Sequence, residues 1–217
     1  MKTILASLTM AAVIGVGSAS AQVYLDIGVG GNFLGDYDVK TTQPLSGGAI
    51  PTGTAGTFEI NPGFAVNFEV GAKVAERVSV GILSGFSQSS VDDVIVGGVS
   101  LSSLGADIDG TVTVIPILAV TDYHIPLSDK LTLKLGVGLG CAFINAEPKA
   151  DLATVFTEGD TTVFQYQLRS SLNYNASENT SVGLTYRFSG LHEPSFDAID
   201  GDTIYGHFIG AAVNIRF

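Results

Sequence analysis

The sequence predicts an all-β protein: a closed, up-and-down antiparallel transmembrane β-barrel of about eight strands. Three observations carry this. Apolar residues recur at every second position, the strand period. Long polar connections alternate with short ones, the rhythm of a barrel with long loops at one end and tight turns at the other. No apolar run past residue 21 reaches the ~20 residues a membrane helix needs, although 46% of the 217 residues are hydrophobic.

The first strand alternates Val23, Leu25, Ile27 and Val29 with Tyr24, Asp26, Gly28 and Gly30. The second reads as one run, with Phe58, Ile60, Pro62, Phe64, Val66, Phe68 and Val70 on one face and Glu59, Asn61, Gly63, Ala65, Asn67, Glu69 and Gly71 on the other. The third has Val78, Val80 and Ile82 against Ser79 and Gly81. The fourth, Val112 to Tyr123, is apolar on both faces, and its even-numbered face (Val112, Val114, Leu118, Val120) is expected outward. The fifth alternates Leu131 through Phe143 with Thr132, Lys134, three glycines and Ala142. The sixth sets Phe164, Tyr166, Leu168 and Leu172 against Gln165, Gln167, Arg169, Ser171 and Asn173. The seventh sets Val182, Leu184, Tyr186 and Phe188 against Gly183, Thr185 and Arg187. The last runs from Tyr205 to Phe217, its alternate face carrying Gly206, Gly210, Asn214 and Arg216.

The polar segments near 34–57, 87–110, 145–161 and 190–203 are the long connections; 73–77, 124–130 and 175–180 are the short ones. An even strand number brings both termini to the short-turn side. That side is expected to be periplasmic and the long loops extracellular.

The bulky face belongs in lipid. The interior of an eight-stranded barrel holds only modest side chains, and the alternate face is rich in Gly, Ala, Ser and Asn. It also carries charges of both signs. Asp26, Glu59, Glu69, Lys134, Arg169, Arg187 and Arg216 are the expected internal charge network, since a basic group facing lipid near the midplane costs ~2–4 kcal/mol. Phe33, Phe58, Phe86, Phe143, Phe164, Phe188 and Tyr205 fall near the long-loop ends, and Tyr123, Tyr174 and Phe217 near the other end. Two aromatic girdles of this kind mark the membrane interfaces.

Residues 1–21 read as a removable secretory signal peptide, leaving 22–217 as the barrel. Lys2 supplies the positive start, Ile4 to Val16 the apolar stretch, and Ala19-Ser20-Ala21 the cleavage pattern. The single cysteine, Cys141, excludes a disulfide framework. A net charge of −11 argues against nucleic acid as a partner.

The terminal stretch His207 to Phe217 resembles the C-terminal signature of bacterial outer-membrane barrels, which end on Phe after alternating apolar residues. Val182-Gly183-Leu184-Thr185-Tyr186-Arg187-Phe188 looks like the penultimate strand of the small opacity-type, porin-family barrels. An aromatic often stands at the place of Ile215, a departure from the pattern. The resemblance implies residence in the bacterial outer membrane, in contact with its lipid and lipopolysaccharide. It also implies that Val213, Ile215 and Phe217 form the signal read by the barrel assembly machinery, and that roles lie in envelope integrity, adhesion or partner binding.

Catalysis needs a nucleophile and a base within hydrogen-bond reach. The histidines are His124, His192 and His207, and only Leu191-His192-Glu193-Pro194-Ser195 gathers a His with a Ser. Lipid A deacylase barrels use His-x-Ser on a strand face, a different spacing and setting. A lipid A-modifying enzyme centred on His192 and Ser195 is therefore only an alternative, and no enzyme or cofactor is expected. The loops are acidic, with Asp36, Asp38, Asp92, Asp93, Asp107, Asp109, Glu147, Asp151, Glu158, Asp160, Glu193, Asp197, Asp200 and Asp202 against Lys40 and Lys149. Divalent cations favour oxygen clusters, and Asp107 with Asp109 and Asp200 with Asp202 are the weak candidates, though neither has EF-hand spacing. The expected function is a structural or surface-interaction role for a barrel filled by paired charges. A narrow channel for small solutes is the alternative on the same fold.

Overall fold

The computed structural model describes residues 22–43, 51–150, 159–196 and 199–217. The signal-peptide expectation, and the loop acids Asp151, Glu158 and Asp197, lie outside them. Eight long strands form an antiparallel ring: β1 (Gln22–Leu34), β4 (Gly63–Ala75), β5 (Val78–Val96), β7 (Ile108–Pro126), β8 (Leu131–Ala150), β9 (Gly159–Asn175), β10 (Thr180–Leu191) and β13 (Ile204–Arg216). Each pairs with its neighbour in that order, and β1 pairs with β13. Closure leaves no sheet edge in the ring, so every strand finds backbone partners on both sides, as lipid demands.

The period-two pattern sets the faces. Val29, Phe68, Ile82, Ile117, Leu139, Leu168, Leu184 and Ile209, one from each strand, are exposed on the outside. Tyr24, Asp26, Asn67, Glu69, Lys134, Gln167, Arg187 and Asn214 alternate with such residues and are buried inside. Three short turns join the strands at one end. Glu76 and Arg77 suffice between β4 and β5, while the turns after Pro126 and Asn175 close with bonds from Leu127 N–H to the Leu131 carbonyl (2.8 Å) and from Ala176 N–H to the Thr180 carbonyl (3.0 Å).

Two expectations about facing are corrected. The even-numbered residues of β7 point inward: Val114, Leu118 and Val120 are buried, whereas Ile115, Ile117 and Tyr123 are exposed. Asp122 shares the even face and is buried with it; a carboxylate there could not face lipid cheaply. Room for the large inward residues comes from the next strand, where Leu118, Val120 and Asp122 stand opposite Gly140, Gly138 and Gly136.

The second correction concerns the run Phe58 to Gly71. It is two strands, β3 (Ala55–Ile60) and β4, parted at Asn61-Pro62. Proline has no N–H to give the ladder, and the pairing of β3 with β5 shifts register between Glu59 and Ile60. This bulge sets Asp92 and Asp93 where one residue would stand, and it reverses the facing. Phe58 and Ile60 pack against an interior apolar cluster instead of joining the outer girdle and lipid face.

The long connections are also more ordered than a loop reading expects. β5 runs on to Val96 through half of the 87–110 segment, turns at Gly97-Gly98 with positive φ (60° and 84°), and returns as β6 (Val99–Ser100). β2 (Tyr37–Thr41), β11 (Ser195–Phe196) and β12 (Ile199–Gly201) extend the sheet above the ring in the order β11-β12-β2-β3-β5. The result is a folded cap on the long-loop side.

Candidate functional site: the barrel interior and its cap

The interior has an acidic wall and a basic wall. Asp26 of β1 stands opposite Glu69 of β4 in the register, and Arg169 of β9 stands opposite Arg187 of β10. Like charges side by side on adjacent strands are destabilising unless countered. The counter-charges come from across the ring. Arg169 Nη2 donates to Glu69 Oε2 at 2.5 Å, and its Nε lies 3.0 Å from Asp122 Oδ1. Lys134 Nζ on β8 lies 3.9 Å from Asp26 Oδ2. β4 and β9 are opposite in the ring order, as are β1 and β8, so both contacts cross the full interior. Tyr24 adds a hydrogen bond from its hydroxyl to Glu69 Oε1 (2.6 Å), and Asn214 donates to Asp26 at 3.3 Å. Lys134 sits 5.6 Å from the Tyr24 ring centroid.

The other residues expected in this network stand apart from it. Arg187 is buried, with no carboxylate in ion-pair contact among the described residues, and lies 4.9 Å from the Phe208 ring centroid. Arg216 sits at the short-turn rim and donates to Asn175 Oδ1 (3.2 Å). Glu59 is outside the interior altogether, in the cap strand β3 opposite Asp93, because the bulge and Pro62 reverse the facing. Asp122 was missing from the expectation. Its signal was parity: on a lipid-crossing strand, the face that carries a carboxylate is the inner one.

Small polar cavities lie on both sides of the ion pairs. The lower, about 60 Å³, is lined by Tyr24, Lys73, His124, Lys134, Asn173 and Arg216 among others, and Ser79 Oγ lies 2.9 Å from His124 Nε2 there. The upper, about 50 Å³, is lined by Asn32, Asn67, Gln165, Gln167, Arg187 and Phe208 among others. Each has room for one or two waters. Above the upper cavity, Tyr37, Val39, Val114, Ala142, Ile144, Val163, Leu191, Ile199 and Ile204 form a buried apolar cluster that joins cap strands to ring strands.

In the cap, the Tyr37 hydroxyl donates to the Pro194 carbonyl, which ties β2 to the segment after β10. Burial first, then the negative charges of Asp200 and Asp202, hold the Tyr37 hydroxyl above the ordinary tyrosine range. Asp93 orders the β5–β6 hairpin by accepting from Val94 N–H (2.7 Å), Ser102 N–H (3.1 Å) and the Ser100 hydroxyl. Burial would raise its carboxyl, but these hydrogen bonds outweigh that and hold it below the usual carboxylate range.

The catalytic alternative finds no pairing. His192 is half exposed, with Nδ1 3.5 Å from Thr203 Oγ1 and Nε2 3.9 Å from Glu193; Ser195 is not a partner. His207 faces outward and bonds Tyr186 (2.8 Å). Among the described residues, no three His, Cys, Asp or Glu side chains converge as a metal site; Asp109 and Asp200 are exposed.

Residues 4–217 match the family defined as the outer membrane protein beta-barrel domain. The chain belongs to that family. This outer membrane protein β-barrel therefore resides in the bacterial outer membrane, as its lipid-facing belt also requires. No curated protein matches it in sequence. Solved structures with the same fold include the Neisserial surface protein A, NspA, at 11% identity and TM-score 0.53, covering 93% of this chain and 100% of that one. The outer membrane protein OprG from Pseudomonas aeruginosa is similar at 15% identity and TM-score 0.54, covering 92% and 98%. The outer membrane protease OmpT from Escherichia coli is similar at 9% identity and TM-score 0.57, covering 92% and 99%. In this outer membrane β-barrel, Val213 is exposed and Ile215 shares its outward face. Phe217 follows them, 76% exposed, with its N–H bonded to the Val23 carbonyl (2.9 Å).

Proposed function

We propose that this outer membrane β-barrel is a closed, non-conducting anchor whose folded extracellular cap meets partners. The observation that carries this is the double obstruction. Cross-ring ion pairs block the middle of the interior, and the Tyr37-to-Ile204 apolar cluster blocks the extracellular end. A hydrated solute would have to break both. The cap supports the surface role: it is built of paired strands and carries the acidic excess of the chain, which favours cationic partners, including divalent cations that bridge to lipopolysaccharide.

The test is solute flux. Liposomes carrying the refolded barrel should swell in isotonic arabinose no faster than protein-free liposomes. Swelling that scales with protein content would support the channel reading instead, for which the two polar cavities are the starting point.

A further inference from the structure

Arg187 poses a problem that the ion pairs do not solve. It is only 3% exposed, it makes no ion pair among the described residues, and its Nε has no hydrogen-bond partner. A buried guanidinium with no anion in contact is unfavourable, even where more distant carboxylates balance its charge. Asp26, Glu69 and Asp122 equal Lys134, Arg169 and Arg187 in number, but Glu69 and Asp122 both contact Arg169 and Asp26 contacts Lys134, so Arg187 has no carboxylate beside it among the described residues. Arg169, directly opposite in the register, adds repulsion.

The cavity beside Arg187 is built from similarly unsatisfied groups. Asn32 and Asn67 line it, and their Nδ2 atoms are buried and without acceptors among the described residues. So do Gln165 and Gln167, each with an amide oxygen lacking a donor; a half-turn of either amide would present its NH₂ instead. Water can satisfy the amides; an anion can satisfy them and contact the guanidinium as well. We infer that this cavity binds a small monovalent anion of the halide class, held by the Arg187 guanidinium with the Asn32 and Asn67 amides as further donors. At about 50 Å³ the space suits a monatomic ion and at most one water.

The experiment is to unfold and refold the protein, purified from outer membranes, in sodium bromide or in sodium gluconate at equal ionic strength. Bromide should raise the temperature at which the heat-sensitive gel band is lost by roughly 5 °C, saturably. Crystals of the bromide form should show an anomalous peak at the Arg187 guanidinium. Arg187→Gln should abolish both effects. Ala65→Val, which fills the same cavity from β4 without touching the charge, should do likewise and keeps the test usable if Arg187→Gln fails to fold. An unchanged transition with no anomalous peak overturns the inference, as does a bromide shift that survives Ala65→Val. The inference rests on the closed interior; a barrel that conducts yet keeps the peak would sink that reading and support the site.

Discussion

Arg169 on β9 spans the whole interior to reach Glu69 on β4, Nη2 to Oε2 at 2.5 Å, while its Nε holds Asp122. One guanidinium thereby joins the acidic wall to the basic one. Removing a single partner leaves a buried charge uncompensated. Glu69→Gln should destabilise the barrel by about 3–5 kcal/mol, read as a lowered urea midpoint for folding into vesicles. Glu69→Gln with Arg169→Met should lose less than the sum of the single losses, with a coupling of about 1–3 kcal/mol. Strict additivity would show that the pair carries no energy.

Volume complementarity between β7 and β8 is the second relationship open to mutation. A Cβ at Gly138 would lie 3.1 Å from Val120 Cγ1 and 3.5 Å from Leu118 Cδ1. Gly138→Leu should cost about 1–3 kcal/mol by overpacking, and adding Val120→Ala should recover most of it. The urea midpoint checks both variants.

The eight strands and most of their facings were legible because a lipid belt enforces strict alternation. β1, β9, β10 and β13 could be read residue by residue. β7 failed because two apolar faces give no contrast, and because the space for Leu118 and Val120 is supplied by Gly138 and Gly140 on the neighbouring strand. Pairing register, which single-strand periodicity does not contain, decides such a case. Asp122 alone could have broken the tie. The reversal at Phe58 was hidden for a related reason: Pro62 fits an alternating pattern by parity, yet it interrupts the ladder. The cap was missed because its polar, acidic segments look like loops until their backbones are paired. Cross-ring partners such as Asp26 with Lys134 were guessed as a charge set, but who meets whom follows from the ring order.

Tyr37 should make the cap alkali-sensitive. Its folded pKa is raised, by burial first and then by Asp200 and Asp202. A raised folded value means that its contribution is complete below the unfolded value of about 10 and is lost as pH climbs above it. Protease cutting within residues 34–43 should therefore accelerate above about pH 10, while the barrel keeps its folded gel mobility. Tyr37→Phe has no group to ionise, so it should lose this alkaline step.

Asp93 works in the opposite sense. Its folded pKa is depressed because hydrogen bonds from Ser100, Ser102 and Val94 outweigh burial. Its contribution is present above the unfolded value of about 3.9 and fades as pH falls through the lower folded value. Relative to its intrinsic rate, which itself slows in acid, amide exchange over Val94–Leu104 should speed up as pH falls. Asp93→Ala should speed it at neutral pH by about tenfold to a hundredfold, the loss of charge-assisted bonds worth roughly 1.5–3 kcal/mol.

The central claim is that the interior is closed. Single-channel recording tests it most directly, with protein purified from outer membranes, checked for heat-dependent gel mobility and inserted into a planar bilayer. A silent membrane, with inserted protein verified afterwards, is the predicted result. Discrete, reproducible current steps from the unmodified protein would contradict it.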